Sequence, residues 1–442
     1  MSRIRNVVIA CDYAYVEGGA AKVAIQTAVL LSRLTDYKVY FIGGCGEACQ
    51  ELKDSEVTCV LLGLPDLMQN PSKKDAFIHG IYNKTVYEET KRLFQTLNPS
   101  ETVLHVHTWT KVLTSAVFKA AADCGIRIFL TLHDYFITCP NGGCYNYVQR
   151  RICELQPMSP KCIRCNCDSR NYVYKLWRVL RQAKQNSVLS KLAINYIFIS
   201  AFQREQLAKR IGSLGRRRRW RLRWLPGSTD PLVTGSTLDH RGAGPSGAFV
   251  DVPVIHFYVR NPIPVGERYR IQAENNDLFL FVGRITQEKG ADLFCEAVTR
   301  AGVKAAALGD GPMLEELKQK YPNIEFPGWQ TAEQVQAWKN KARGYIFSSV
   351  WFEGSPLTVP EMLAFGVPCI VTECNSAKDT VVDGKNGYIV KPDVDEIVQA
   401  IRKFEDDETV KEMSVATFES FDKEAASPEA YIKNLTEVYE KG

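Results

Sequence analysis

The sequence predicts an α/β protein of two doubly wound domains facing each other across a cleft, and three observations lead there. Short apolar, β-branched runs alternate with stretches of helical periodicity along both halves of the chain, the pattern of parallel strands joined by crossover helices. At 442 residues, 45% of them hydrophobic, the chain is too long for one ordinary core. Small-residue loops and charged side chains fall just after the expected strands, at the edge where open parallel sheets bind ligands.

In the first half, strands are expected over 7–11, 39–43, 58–62, 103–107, 127–132 and 196–200. The loop Glu17-Gly18-Gly19-Ala20-Ala21 precedes a helix over 21–34, and its glycines leave backbone N–H groups open to an approaching phosphate or acceptor. In the second half, strands are expected over 278–282, 305–308, 324–326, 344–350 and 368–372, with helices from about Gly290, Met313 and Pro356. The first domain then spans 1–262 and the second 263–425, joined near Asn261-Pro262-Ile263-Pro264, where two prolines stiffen an extended segment.

The formal charge of +5 is concentrated in one run, Arg216, Arg217, Arg218, Arg219, Arg221 and Arg223, without which the chain is close to neutral. That argues against a broad nucleic-acid-binding face. The run opens a Gly-, Pro-, Ser- and Thr-rich stretch, 214–252, expected as a weakly ordered insertion. It reads either as a solvated loop, the simpler account, or as a basic arm laid on an anionic membrane with Trp220 and Trp224 at headgroup level. No apolar run is long enough to cross a bilayer, and the start reads as the first strand of a cytoplasmic protein.

Site chemistry centres on Glu353-Gly354-Ser355-Pro356-Leu357-Thr358-Val359-Pro360-Glu361. Ser355 is expected to cap a helix beginning at Pro356, so that the free N–H groups of Leu357 and Thr358 face a phosphate. Glu353 before the turn and Glu361 beyond it are too far apart to share a proton; they suit two parts of one extended polar ligand. Arg284 and Lys289, between a strand end and a helix, offer a planar fork and a mobile charge for two phosphoryl groups. His133 ends the strand over 127–132, beside Asp134. His107-Thr108-Trp109 is a candidate acceptor-side lining, and His105 reads as a core residue.

These motifs resemble the C-terminal half of retaining GT-B glycosyltransferases of family 4, also called glycosyl transferases group 1. The resemblance rests on Glu353 and Glu361 with the turn between them, on Val282-Gly283-Arg284 and Glu288-Lys289-Gly290, on Leu308-Gly309-Asp310-Gly311-Pro312, on Gly328-Trp329 and on Asp383-Gly384-Lys385-Asn386-Gly387. It implies a GT-B fold of two Rossmann-like domains, with a last helix within 426–442 crossing back onto the first. It implies a UDP- or GDP-sugar donor held by Gly18, Gly19, Arg284, Lys289, Gly354, Ser355, Pro356, Leu357 and Thr358. Glu361 would accept from the ribose hydroxyls, and Glu353 would contact the transferred sugar. His133 would bind a donor hydroxyl. The acceptor would be a saccharide or a lipid-linked one in polysaccharide or cell-envelope glycan assembly. Anomeric configuration would be retained by front-face attack without an enzyme nucleophile, and no metal ion would be needed at the diphosphate.

Cys139, Cys144, Cys153, Cys162, Cys165 and Cys167 cluster in a loop over 139–167. The Cys162-Ile163-Arg164-Cys165 spacing lets two thiolates grip one ion, and Cys139 and Cys153 could complete a structural zinc site; an iron–sulfur cluster, disulfides or free thiols are the alternatives. Farther on, Lys175, Arg178, Arg181 and Lys184 recur every third residue, either an ordinary exposed helix face or a basic face for an acidic membrane or a lipid diphosphate. The competing functions are a GT-B epimerase acting on a nucleotide sugar, a phosphorylase, for which no pyridoxal lysine motif is found, and a metal-stabilised nucleic-acid-binding protein.

Overall fold

The computed structural model describes residues 4–211, 256–263 and 266–442, so the arginine run, the stretch 214–252 and Pro264 lie outside the described residues. The first sheet has seven strands in the order β3-β2-β1-β4-β5-β8-β9. In chain order these are β1 (Asn6–Tyr13), β2 (Lys38–Cys45), β3 (Thr58–Leu61), β4 (Thr102–Val106), β5 (Arg127–Leu132), β8 (Ile194–Phe198) and β9 (His256–Tyr258). Between β5 and β8 the cysteine-rich loop makes a two-stranded antiparallel hairpin, β6 (Tyr145–Asn146) and β7 (Arg151–Ile152). The second sheet, in the order β12-β11-β10-β13-β14-β15, contains β10 (Leu278–Val282), β11 (Lys304–Leu308), β12 (Glu325–Gly328), β13 (Ala342–Phe347), β14 (Cys369–Thr372) and β15 (Gly387–Val390). Every pairing within the two large sheets is parallel. This is the expected two-domain Rossmann-like α/β fold, and central strands such as β1 are buried along their whole length because helices cover both faces.

Strand order reverses between β1 and β4 and again between β10 and β13, and open parallel sheets bind ligands outside such switch points. Four of the candidate segments sit there: the Gly18-Gly19 loop follows β1, His107 follows β4, Arg284 to Lys289 follow β10, and Glu353 follows β13, while His133 follows β5, one strand farther along.

Two boundaries differ from expectation for identifiable reasons. The strand expected over 196–200 runs Ile194–Phe198, because Ser200 instead turns its hydroxyl to the Gln203 N–H at 3.0 Å in the next helix, Ala201–Ile211. The strand expected over 344–350 stops at Phe347, and the following residues bond to a neighbouring loop.

The domains are pinned together by Phe352, which packs against Tyr135 and Phe202 at ring separations of 5.8 and 5.5 Å and lies 4.8 Å from the Arg210 guanidinium. Nearby, the Phe202 N–H donates to Asp379 at 2.9 Å. The last helix, Pro428–Lys441, is capped by Ser427 and lies on the first domain, with Tyr431 bonded to Thr27 at 2.8 Å and Tyr439 to His105 at 2.7 Å.

Candidate active site

Beyond β13 the chain zips onto the loop after β10. The Val350 N–H donates to the Glu288 carbonyl at 3.0 Å, while the Ser348 and Ser349 hydroxyls donate to the carbonyls of Gly290 (2.8 Å) and Glu288 (3.2 Å). Gly290 permits this approach: its φ is +68°, and a Cβ there would lie 2.0 Å from the Ser348 carbonyl oxygen. The result sets Lys289 against Glu353. Lys289 Nζ donates to Glu353 Oε1, which also accepts from Trp351 Nε1 at 2.5 Å and Ser349 Oγ at 3.1 Å. Burial pushes the Glu353 carboxyl up, but the Lys289 charge and these hydrogen bonds outweigh it and hold the group below the usual carboxylate range. Among the described residues none bonds Oε2, which stays available to a ligand hydroxyl. Arg284, 63% exposed, reaches back to a buried Glu288 at 3.3 Å.

The helix expected to start at Pro356 under a Ser355 cap starts two residues later, as Thr358–Leu363, with Leu357 at its N-cap and no capping side chain. The second proline explains the correction. In a helix begun at Pro356, Pro360 would have to donate to the Pro356 carbonyl; it has no N–H, and its ring would clash there. Started at Thr358, the helix holds Pro360 in its first turn, where no N–H is required, and the Glu361 N–H closes the first bond on the Leu357 carbonyl at 3.1 Å. Six residues carry little macrodipole, so this turn offers a ligand backbone N–H groups more than a field. Glu361 is half-buried on it. Burial lowers the Lys339 ammonium's pKa; Glu361 favours its charge, and Lys22 of the helix Gly19–Leu34 opposes it across the cleft. The Gly18-Gly19 loop just before Lys22 is exposed, with open space where side chains would be.

From the first domain, the His133 carbonyl abuts Gly354, where a Cβ would come within 3.1 Å of it and 2.9 Å of Gln203 Nε2. The His133 ring shares a 2.9 Å hydrogen bond with His107, and burial depresses its pKa to about 4. Burial likewise raises the Asp134 carboxyl to about 7. His107, expected to line the acceptor side, is itself buried and supports His133 from behind. His105 is a core residue bonded to Tyr439 and Thr131, each at 2.7 Å. Trp109, also buried, bonds Gln185 and lines a cavity shared with Arg178 and Arg181.

Sequence reasoning missed Trp351 and the cysteine-rich loop's part in this wall. Trp351 rests on Gly143, where a Cβ would fall 2.7 Å from the indole, and Tyr145 accepts from Gln287 at 3.3 Å. A tryptophan two residues before the key glutamate, at a strand end, was the available signal.

The basic helix, Tyr172–Leu189, is also corrected. Arg178 pairs with buried Asp168 at 2.8 Å, Arg181 donates to the Gly80 and Thr110 carbonyls, and Lys184 lies 4.8 Å over the Tyr82 ring. Lys175 is wholly buried. The outward face carries Val173, Leu176 and Leu180 instead. Among the described residues no cysteine is joined in a disulfide, and no three ligand-type side chains are arranged to hold a metal ion. The fold gathers Cys139, Cys153 and Cys162 with Cys144 and Cys167 around one cavity, but Cys165, expected among the ligands, is not part of its lining and has Asn146 at 3.5 Å.

The class that this fold and cleft define is GT-B, and residues 268–419 match the family model described as Glycosyl transferases group 1. The whole chain superimposes on Anabaena HepE in complex with UDP and glucose (TM-score 0.63, 13% identity, covering 99% of this chain and 100% of that one). It likewise superimposes on WaaG, a glycosyltransferase involved in lipopolysaccharide biosynthesis (0.60, 11%, 99% and 100%). In sequence it is 32% identical to the lipopolysaccharide 1,6-galactosyltransferase of Salmonella typhimurium over 26% of this chain and 35% of that one. It is 25% identical to an Escherichia coli UDP-Gal:alpha-D-GlcNAc-diphosphoundecaprenol alpha-1,3-galactosyltransferase over 32% and 39%. The matched segments thus span little more than a third of the length of these curated relatives.

Proposed function

We propose that the chain is a retaining glycosyltransferase that moves a sugar from a UDP- or GDP-sugar to a saccharide or lipid-linked acceptor in cell-envelope glycan assembly. The observation that carries this reading is the Lys289–Glu353 pair, built by the two zipped loops within the family-matching segment, with the His133 carbonyl against the adjoining Gly354. When the donor enters, the Lys289 ammonium moves from Glu353 towards the diphosphate, and Arg284 swings from Glu288 to join it. Both then stabilise charge that develops as the glycosidic bond breaks. Glu353, kept ionised, turns Oε2 to the transferred sugar and supports its positive charge, while Glu361 accepts from the ribose. The leaving phosphate takes the acceptor's proton, so no side chain acts as nucleophile, and the reading assigns no metal to the diphosphate. The family match favours transfer over the epimerase, phosphorylase and nucleic-acid readings.

The relatives' names and the exposed apolar face support a membrane-borne acceptor. Val173 and Leu180, 74% and 51% exposed, adjoin Phe77 and Ile78, 47% and 50% exposed, on the helix Lys73–Ile81, to which Trp177 donates at 3.2 Å. Lipid-interface contact would cover that face. Among the described residues no helix is long and apolar enough to cross a membrane.

The test is a thermal-shift screen with UDP and GDP, followed by nucleotide sugars scored for slow hydrolysis and transfer. Glu361→Ala should weaken nucleotide binding, and Lys289→Ala should cut turnover by roughly 100-fold or more. Full transfer by both variants would remove the assigned site.

A further inference from the structure

A cavity opens on the first domain where the loops after β4 and β5 meet the helix Tyr172–Leu189. Trp109 and Phe136 line it, two residues beyond His107 and three beyond His133, so this wall starts no more than about 11 Å along the chain from His133. Its empty space, about 350 Å³ up to the open mouth, admits a phosphoryl group.

Three side chains of the lining have donors to spare. Arg178 meets Asp168 through Nε, and among the described residues its terminal nitrogens bond to nothing. Arg181 gives Nε and one terminal nitrogen to the carbonyls of Gly80 and Thr110 and lies 4.7 Å over the Trp177 ring. Its other terminal nitrogen is free, and among the described residues no carboxylate forms an ion pair with it. Burial and the neighbouring Arg178 push the Arg181 pKa down to about 10, against the weaker pull of Asp12 and Asp66, so it remains a cation at neutral pH. Those two carboxylates are occupied, Asp12 by the N–H groups of Lys111, Val112 and Leu113 and Asp66 by Tyr13 and the Met68 N–H. Ser115 is 3% exposed and its Oγ has no partner, although it stands at the start of the helix Ala116–Asp123, where a serine ordinarily caps a backbone N–H. A buried hydroxyl left so is costly, and a ligand oxygen would remove the cost. No carboxylate lines the cavity. A neutral sugar needs acceptors as well as donors; spare guanidinium nitrogens beside a serine suit phosphoryl oxygens.

We propose that this cavity takes a phosphoryl group of the acceptor, which is then a glycosyl phosphate or diphosphate, with Arg178, Arg181 and Ser115 donating to the phosphoryl oxygens. The inference rests on the transferase reading above and names the class of its acceptor. With the phosphoryl group in the cavity, the sugar it carries spans from there towards His133 and the cleft. The outer side of the helices Lys73–Ile81 and Tyr172–Leu189 exposes Phe77, Ile78, Leu176 and Leu180, where a lipid on the same phosphate could lie.

The experiment measures binding to the full chain of glucose 1-phosphate, of glucose and of glucosyl farnesyl diphosphate, all without donor. Glucose 1-phosphate should saturate at about one per chain, with inorganic phosphate competing and glucose roughly tenfold weaker or more. Ser115→Ala should weaken that binding several-fold without lowering Tm, because the hydroxyl it removes has no partner in the free protein. Arg178→Gln should weaken it by about tenfold, whereas Lys289→Ala, which alters the donor side, should not. Tighter binding of the farnesyl form identifies a lipid carrier, and equal binding a soluble sugar phosphate. Where Arg178→Gln fails to fold because Asp168 loses its partner, Ser115→Ala decides. Equal affinity for the sugar with and without phosphate, unchanged binding in Ser115→Ala, or loss in Lys289→Ala but not in Arg178→Gln would overturn the proposal. Binding that passes these tests while no nucleotide sugar supports transfer would sink the transferase reading, and the acceptor role with it, but keep the anion site.

Discussion

Glu353 accepts three donors on a single oxygen, and Trp351 is the one of them that also touches the first domain. Trp351→Phe keeps the ring over Gly143 but deletes the N–H. It should cost about 1 kcal/mol of transition-state stabilisation, seen as a several-fold fall in kcat with nucleotide Kd unchanged; an unaltered kcat would mean that the indole only fills space. A second residue-scale prediction concerns acid. Burial holds His105 and His133 at about 3 and 4, and His107 well below its ordinary value, so all three stay neutral in the fold but protonate when unfolded below about 6.5. The unfolded chain then binds more protons, and stability falls as pH drops from 6.5 towards 4. Asp134, protonated in the fold up to about 7 but ionised when unfolded above about 4, opposes this with one proton. The histidines outnumber it, so the urea midpoint should fall between pH 6.5 and 5. Residue chemistry of this kind was partly legible: the glutamates, Lys289 and His133 stand out by type and place. Trp351 and the orientation of Lys175 were not, since they depend on what another segment sets against them.

At the scale of elements, strands and long helices follow the hydrophobic period, and their ends follow local chemistry that sequence reading resolves only where it counts every proline and serine. Pro360 excluded a helix begun at Pro356 although Ser355 and Pro356 together invite one. Regular spacing of four basic residues gave no sign of which way the helix Tyr172–Leu189 faces; packing on Asp168 and on the carbonyls of Gly80 and Thr110 decided it. The last helix was legible as an element and, through the resemblance, as one that crosses back onto the first domain, but not in what it meets there. Its Tyr439 hydroxyl meets His105 in the middle of the first sheet, so Tyr439→Phe leaves a buried ring nitrogen without its partner. The expected cost is roughly 1–3 kcal/mol of stability. Urea unfolding checks it, and UDP or GDP affinity should not change, because this helix packs on the first domain, away from the nucleotide contacts proposed for the second.

For the whole molecule, the two domains behave as one cooperative unit only as far as their shared contacts allow, and Phe352 is one of the apolar ones. It is 9% exposed and sits among first-domain rings, yet it belongs to the segment that delivers Glu353. The doubly wound halves were legible because each repeats its own alternation, whereas the Phe352 contact between them was not, because no periodicity marks a side chain that crosses a cleft. Phe352→Ala should leave each sheet intact while removing contacts with Tyr135, Phe202 and Arg210. A single calorimetric transition should then split into two, with the lower shifted down by several degrees, as a loss of roughly 3 kcal/mol implies. UDP or GDP binding should persist, since the proposed nucleotide contacts lie on the second domain, but transfer should fall, since His133 no longer stands fixed against Gly354. One unshifted transition with full transfer would show that the domains are held by other contacts and that cleft geometry does not depend on this ring.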